Sequence, residues 1–424
     1  MQQSLQKARG GKGIEPFWFA VKLNIYGFGL MALWNTVNTV LLPQRVQATA
    51  PAALEGSALG LVSLVGIGLA AVIQPIAGRV SDRASLPDRR KPFIIIGTAL
   101  AIPLLLIVGW APIFAGLLVA YVLLQIATNV AQAAFQALIP DIVPEEGRGL
   151  SSGVKNTLSV LGAAVGLIGA RVLAGVGAPA ILEFVYLGFL LGFTAYLTNR
   201  WVPRVKPLPK DEQASSWIEL FDVGGLWRSF TKTLRDHPLF RRAVIAQFFF
   251  LLGTYPAQRF LLYFLRDRLG GGAEQGASVG LVAAIAVAAL AAVAGGGLSD
   301  QVGRRPMLVG CVILAAAGMA GLAVSPTLLP IAISGGMVAM GVGAFQAVNW
   351  ALLSDDMPAG HAARAYGVAN VATAGSSALA GLFGPLVDLL NSVLPGSAYT
   401  ITFSLAALII LVSLIPLYRT DEYR

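Results

Sequence analysis

The sequence predicts an all-α polytopic membrane protein of twelve transmembrane helices, arranged as two pseudo-symmetric six-helix bundles. Three observations lead there. Of 424 residues, 56% are apolar and 12% charged, with a mean hydropathy of +0.73, whereas a soluble domain carries roughly 25% charged residues. The apolar residues fall into runs near the ~20 residues that an α-helix needs to cross a bilayer. A set of loop and helix residues also recurs at about half the chain length. The 48 glycines suit this class, because small residues let helices approach closely where water supplies no drive for association. A soluble enzyme is excluded.

Apolar runs bounded by charge or by Pro and Gly place the spans, in order, at 17–42, 58–78, 92–110, 113–139, 150–173 and 179–197, then at 243–265, 276–298, 306–324, 328–353, 365–386 and 398–417. The first follows a polar stretch over residues 1–13 and is too long for the apolar core of a cleaved signal peptide. The expected domains are an N-terminal six-helix bundle (1–198), a linker (199–242) and a C-terminal six-helix bundle (243–424). Only Arg45, Arg171, Arg266 and Arg268 lie in odd-numbered connections, and Arg259 lies well within a span; Lys22 and Lys155 stand close enough to the cytoplasmic ends of spans one and five to snorkel, and the other Lys and Arg occupy the termini and even-numbered connections. Basic residues are retained on the cytoplasmic side, so both termini and the linker are expected there, in a multi-pass protein of the cell membrane. The net charge of +9 is thus a topology signal. It does not point to nucleic acid, because the basic residues are spread over short loops beside anionic lipid.

Within the linker, Trp217, Leu220, Phe221, Trp227, Phe230 and Leu234 recur near helical spacing, while Arg228, Lys232 and Arg235 take the other face. This pattern predicts an amphipathic helix lying in the headgroup layer, interrupted near Gly224 and Gly225. Cys311 is the single cysteine, and the two histidines, His237 and His361, fall in polar segments. No metal site, cofactor or nucleophile with a nearby base emerges from these residues. The expected partners are the lipid bilayer and a small-molecule substrate, with proton or sodium as the candidate coupling ion and a monomer as the expected state.

The repeat is carried by loop residues. Gly78, Ser81 and Asp82 between spans two and three return as Gly296, Ser299 and Asp300 between spans eight and nine, each set followed by a basic pair and proline. Ala134-Phe135-Gln136-Ala137 returns as Ala344-Phe345-Gln346-Ala347, and Pro144 and Gly153-Val154 as Pro358 and Gly367-Val368. Parallel six-span repeats build one large class of secondary transporters, with the substrate site near mid-membrane between the halves.

Over essentially its whole length the chain resembles the major facilitator superfamily. The strongest marker is Gly296-Gly297-Leu298-Ser299-Asp300-Gln301-Val302-Gly303-Arg304-Arg305, similar to the superfamily loop of Gly, three residues, Asp, then Gly-Arg-Arg. The first copy includes Gly78, Asp82 and Arg83, followed by Arg89-Arg90-Lys91-Pro92-Phe93. It resembles the form found in sucrose transporters and the wider glycoside-pentoside-hexuronide symporters, with Asp88 where those proteins carry Gly. The turn from Pro140 to Arg148 is similar to the acidic, proline-bearing turn before helix five of many facilitators. In these loops Asp82 is expected to meet Arg364, and Asp300 to meet Arg148, as latches of the cytoplasmic face; Arg90, Arg304 and Arg305 complete the motifs.

Polar residues inside a span are costly and tend to face a cavity or another helix. Span four carries Gln125, Asn129, Gln132 and Gln136 at spacings of four, three and four, which puts all four on one face. Span one adds Trp34, Asn35 and Asn38, span seven Tyr255, Gln258 and Arg259, span ten Gln346 and Asn349, and span eleven Asn370 and Thr373. Amides supply donors and acceptors, and aromatic rings a flat apolar face, a combination suited to hydroxyl-rich solutes. The resemblance implies that spans one, four, seven and ten line the central cavity. Arg259 clamps an anionic group, stands in for a coupling cation, or pairs with Asp388 near the outer surface. The resembled sugar symporters carry a carboxylate on helix four, whereas this span has none before Asp141. Facilitated diffusion, exchange, or coupling through a boundary carboxylate such as Asp388 or Glu183 therefore stay open. The expected function is transport of a small polar organic solute, a sugar or glycoside first, by alternating access. The alternatives are export of amphipathic drugs or lipids, or a non-transporting pigment- or lipid-binding role on the same fold.

Overall fold

The computed structural model describes residues 14–82, 84, 86–206, 223–270, 273–355 and 362–418, and among them every regular element is helical. The elements are α1 (Ile14–Thr36), a π-helical segment (Val37–Leu41), α2 (Leu42–Thr49), a 3-10 turn (Ala52–Leu54), α3 (Glu55–Asp82), α4 (Lys91–Trp110), α5 (Phe114–Gln136), α6 (Leu138–Ile142), α7 (Glu145–Gly175) and α8 (Ile181–Trp201). They continue as α9 (Val223–Asp236), α10 (Pro238–Arg259), α11 (Leu261–Leu269), α12 (Ala273–Val302), α13 (Arg304–Val324), α14 (Leu328–Asp355), α15 (Ala362–Leu379), a second 3-10 turn (Ala380–Leu382), α16 (Phe383–Val393), α17 (Ala398–Val412) and α18 (Leu414–Tyr418).

Among the described residues, eleven helical runs are long and apolar enough to cross a membrane, with mean hydropathies from 1.3 to 2.5. The run below that level is α10, the expected seventh span. Gln247, Tyr255, Gln258 and Arg259 lower its hydropathy, and Pro256 withdraws one backbone donor just before the helix ends at Arg259. The helices otherwise turn apolar side chains outward, as with Trp110 at 81% exposure and Val293 at 80%. Such surfaces need lipid around them.

The chain divides into two compact units. The first comprises Met1–Val37, Val72–Ala111 and Val119–Phe221. Here α1 packs on α7 and α8, and α4 on α8. Gly166 lets α7 and α1 touch backbone to backbone, since a Cβ there would lie 2.6 Å from the Ala32 carbonyl oxygen. Tyr26 and Tyr121 are wholly buried, and Tyr26 shares a 2.8 Å hydrogen bond with Thr98. Asn24 Nδ2 donates to Ala20 O at 2.9 Å and to Ser151 Oγ at 3.0 Å, which ties α1 to α7. Polar pairing of this kind matters because lipid tails give helices no apolar reason to associate.

The second unit comprises Asn38–Ala71, Pro112–Leu118 and Asp222–Arg424. Its core is aromatic, with Phe240, Phe250, Phe260, Phe264, Phe345 and Phe403 all inaccessible. Helix α14 packs on α12 and α13, and α17 on α10 and α13. The end of the first span joins this unit, where Tyr263 Oη donates to Pro43 O at 3.0 Å. Helix α9 starts at Val223, so Gly224 and Gly225 fall in its first turn. Trp217, Leu220 and Phe221 of the expected amphipathic stretch, and His361, lie outside the described residues, as do the side chains of Trp227 and Phe230.

Candidate functional site

The polar residues form two separate clusters, one in each unit. In the first unit, Gln125 Nε2 donates to Tyr121 Oη at 2.9 Å, while Asn129 Nδ2 donates to Gln125 O at 2.8 Å and Gln125 Oε1 at 3.2 Å. These three residues lie one turn apart on α5, so helix geometry alone aligns them. Trp34 of α1 meets the Tyr121 ring edge-on at 6.2 Å between centroids. Gln125 and Asn129 are 4% and 5% exposed, so an aromatic wall and an amide ladder sit together inside the unit. Gln132 is half-buried, and Gln136 Oε1 accepts from Gln74 Nε2 of α3 at 3.1 Å. Asn35 spends its amide on Met31 O of its own helix at 3.1 Å. Asn38 lies in the π-helical segment and belongs to the second unit.

The cluster in the second unit crosses three helices. Gln247 Nε2 of α10 donates to Thr373 Oγ1 of α15 at 2.7 Å, and Asn349 Nδ2 of α14 donates to Gln247 Oε1 at 2.9 Å. Gln247 and Asn349 are fully buried. Asn349 Oδ1 and Gln346 Oε1 are buried and accept no hydrogen bond among the described residues. The sequence reading omitted Gln247 and Tyr121. Gln247 was readable, because it stands eleven residues before Gln258, three helical turns away on one face.

The remaining candidates spread away from these clusters. Tyr255 is half-buried, while Gln258 and Asn370 are exposed. Arg259 donates from Nη1 to Ser377 O at 2.8 Å and from Nη2 to Ser377 Oγ at 3.2 Å. Asp388, the alternative partner considered for it, accepts instead from the backbone of α3. A separate notch of about 380 Å³ between α4 and α8 is lined by Ile102, Leu106, Val185, Gly188, Phe189, Gly192 and Phe193. It offers a polar solute no side-chain partner.

The loop motifs form a third arrangement. Arg90 bonds Ser81 Oγ and the Asp82 carboxylate, and its Nε meets Asp141 Oδ2 at 2.6 Å. Arg89 Nη2 meets the other oxygen of Asp141 at 2.8 Å. Asp88 Oδ1 accepts the backbone N–H groups of Arg90 and Lys91 at 3.1 and 3.2 Å. The departure from Gly at this position therefore supplies acceptors to the start of α4, where backbone donors lack helical partners. The linker is tied in as well, since Arg89 N donates to Val205 O at 3.0 Å and Lys91 Nζ to Asn199 O at 3.0 Å. Arg148 donates to the carbonyls of Val143 and Pro140, each at 3.2 Å. In the second loop, Arg304 Nη1 donates to Ser299 Oγ at 2.6 Å, and Arg305 Nη2 to Tyr418 O at 2.9 Å. Arg83 and the side chains of Asp300 and Arg364 lie outside the described residues.

A family model described as Major Facilitator Superfamily matches residues 23–385. A General alpha-glucoside permease of Schizosaccharomyces pombe is 28% identical over 218 residues, which is 45% of this chain and 38% of the permease. The chain thus spans well under half the length of that relative. A crystal structure of a bacterial homolog to the human lysosomal transporter Spinster, inward-facing and occupied, aligns with a TM-score of 0.73 at 16% identity, over 97% of this chain and 98% of that one. The nucleoside transporter NupG aligns with a TM-score of 0.70 at 15% identity, over 95% of this chain and 100% of that one.

Proposed function

The chain belongs to the Major Facilitator Superfamily, and from that premise we propose that this membrane transporter moves a small polar organic solute, a sugar or glycoside, by alternating access. It is not an enzyme. The reading rests on the amide cluster of the second unit, where two buried acceptors, Asn349 Oδ1 and Gln346 Oε1, await donors. An unsatisfied buried acceptor costs about 1–3 kcal/mol, and solute hydroxyls would offset that. The Trp34, Tyr121, Gln125 and Asn129 group supplies the flat face and amides that a sugar ring uses. The likeness to an alpha-glucoside permease supports the same class.

The proposal includes bundles over 1–198 and 243–424 as the moving bodies, a monomer, and both termini on the cytoplasmic side of the cell membrane. It also includes the Asp82–Arg364 and Asp300–Arg148 latches as contacts of the transport cycle, to be tested by exchanging charges within each pair. The solute class is tested by thermal shift of the purified protein against sugars, organic anions and amphipathic cations, since a ligand that binds only the folded form raises stability. A sugar is expected to stabilise it, and Asn349→Ala or Gln132→Ala to weaken that sugar about five- to tenfold. Stabilisation by lipophilic compounds alone would replace this reading with that of an exporter or lipid-binding protein. Counterflow in liposomes then separates transport from binding.

A further inference from the structure

Helix α3 begins at Glu55, and its first backbone donors need acceptors from outside the helix. They find them 331 and 332 residues away: Asp388 Oδ1 of α16 accepts Gly56 N–H at 3.0 Å and Oδ2 accepts Ser57 N–H at 2.6 Å. Both carboxylate oxygens are therefore spent on one helix terminus, whose partial positive charge favours an anion. The contact is built for closeness. A Cβ on Gly384 would overlap the Gly56 carbonyl, and one on Gly60 would overlap the Gly381 carbonyl. Pro385 has no N–H with which to occupy the Gly381 carbonyl four residues back, and a 3-10 turn over Ala380–Leu382 separates α15 from α16 at this point.

We infer that Asp388 is the positioning residue of a gate at the membrane face opposite the termini: ionised, it locks the start of α3 onto α16, and protonated, it releases it. Protonation puts a hydrogen on one oxygen, makes that oxygen a weak acceptor, and removes the negative charge that the helix terminus favours. Among the described residues, the other titratable groups near this contact include Glu55 of α3, Tyr263, Arg266, Asp267 and Arg268 of α11, and Tyr399 of α17; the 3-10 turns packed on α16 carry none. Arg266 is already engaged, at 2.8 Å from both Glu55 and Asp267, and Tyr399 Oη bonds Asp267 Oδ2 at 3.2 Å. Burial opposes the Arg266 charge, but the Asp267 and Glu55 carboxylates outweigh it and raise its pKa. Arg266 thus keeps its charge and its partners while Asp388 is left to the backbone of α3. The lock gives this chain a proton-sensitive gate although span four has no carboxylate before Asp141.

The lock is tested without substrate, so its failure is separable from failure of the solute class. Hydrogen exchange at the start of α3 is measured for the full chain in lipid nanodiscs at about pH 7.5 and about pH 3, which lie on either side of the ordinary aspartate pKa of about 3.9, after correction for the intrinsic pH dependence. The natural protein is expected to show faster exchange at the lower pH, and Asp388→Asn is expected to speed exchange at Gly56 and Ser57 about tenfold at the higher pH and to abolish that acid-induced increase. Asp388→Glu restores part of the protection. Gly384→Ala, which separates the helices while keeping the carboxylate, is expected to raise exchange at the same amides and serves if Asp388→Asn does not fold. Unchanged protection in either variant, or an acid response that survives Asp388→Asn, overturns the inference.

Discussion

In the first repeat Arg90 bonds Ser81 Oγ, which donates to Gly78 O at 3.1 Å; in the second, Arg304 bonds Ser299 Oγ, which donates to Gly296 O at 2.7 Å. The arginine, serine and glycine carbonyl are thus wired alike in both copies of the motif. What surrounds them differs. Arg89 and Arg90, with side chains 8% and 3% exposed, converge on Asp141 from α6. Arg304 and Arg305 are half-buried, and Arg305 reaches the last turn of the described chain, donating to Tyr418 O and lying 5.6 Å over the Tyr418 ring. One sequence motif therefore yields a desolvated charge network in one copy and a terminal clasp in the other. Removing a partner from a buried network strands charge, whereas a half-exposed contact has water to replace what is lost.

The largest expected effect breaks the comparison at its buried end. Asp141→Ala leaves two buried guanidinium groups short of an acceptor and is expected to destabilise the protein by about 3 kcal/mol, read as the shift of denaturant unfolding in detergent. A change below about 1 kcal/mol would place the two loops on the same energetic footing. A smaller effect sharpens the contrast between the copies. Arg90 serves Asp141, Ser81 and Asp82 from three different nitrogens, which the single ammonium of lysine cannot reproduce. Arg90→Lys is expected to cost about 2 kcal/mol and Arg304→Lys less than about 1 kcal/mol; equal losses would mean that the shared arginine–serine bond, and not its surroundings, sets the energy. Smallest is Tyr418→Leu, which removes the ring beneath Arg305 but leaves its carbonyl, for about 0.5 kcal/mol by the same unfolding measurement.

The two amide clusters show how far local spacing carries a sequence reading. Gln125 and Asn129 share one helix, so a period of 3.6 residues was enough to place them together. Gln247, Asn349 and Thr373 are separated by 102 and 126 residues, and no spacing rule connects them. Gln258 and Asn370 belong to polar-bearing spans yet are exposed, because the register of a helix against its neighbours is set by packing and not by its own composition. Gln247 shares a helical face with Gln258, but it lies among phenylalanines near a charged boundary, and its partners Asn349 and Thr373 stand on other helices.

The repeated Phe135 and Phe345 make the same point. Both are buried, and each meets an aromatic residue of a neighbouring span: Tyr26 edge-on at 5.4 Å, and Phe250 stacked at 3.9 Å. The repeat predicted that these positions correspond, and the choice between edge and stack fell to the shape of the partner. Spans, the repeat and the family were legible because a bilayer imposes length and hydropathy on each segment separately, and because duplicated loops keep their residues in order. The pairing of Asp388 with the start of α3, of Asp141 with two arginines, and of Gln247 with Asn349 was decided by tertiary structure alone. A carboxylate or amide can satisfy many partners of equal chemistry, and only packing determines which of them comes within about 3 Å.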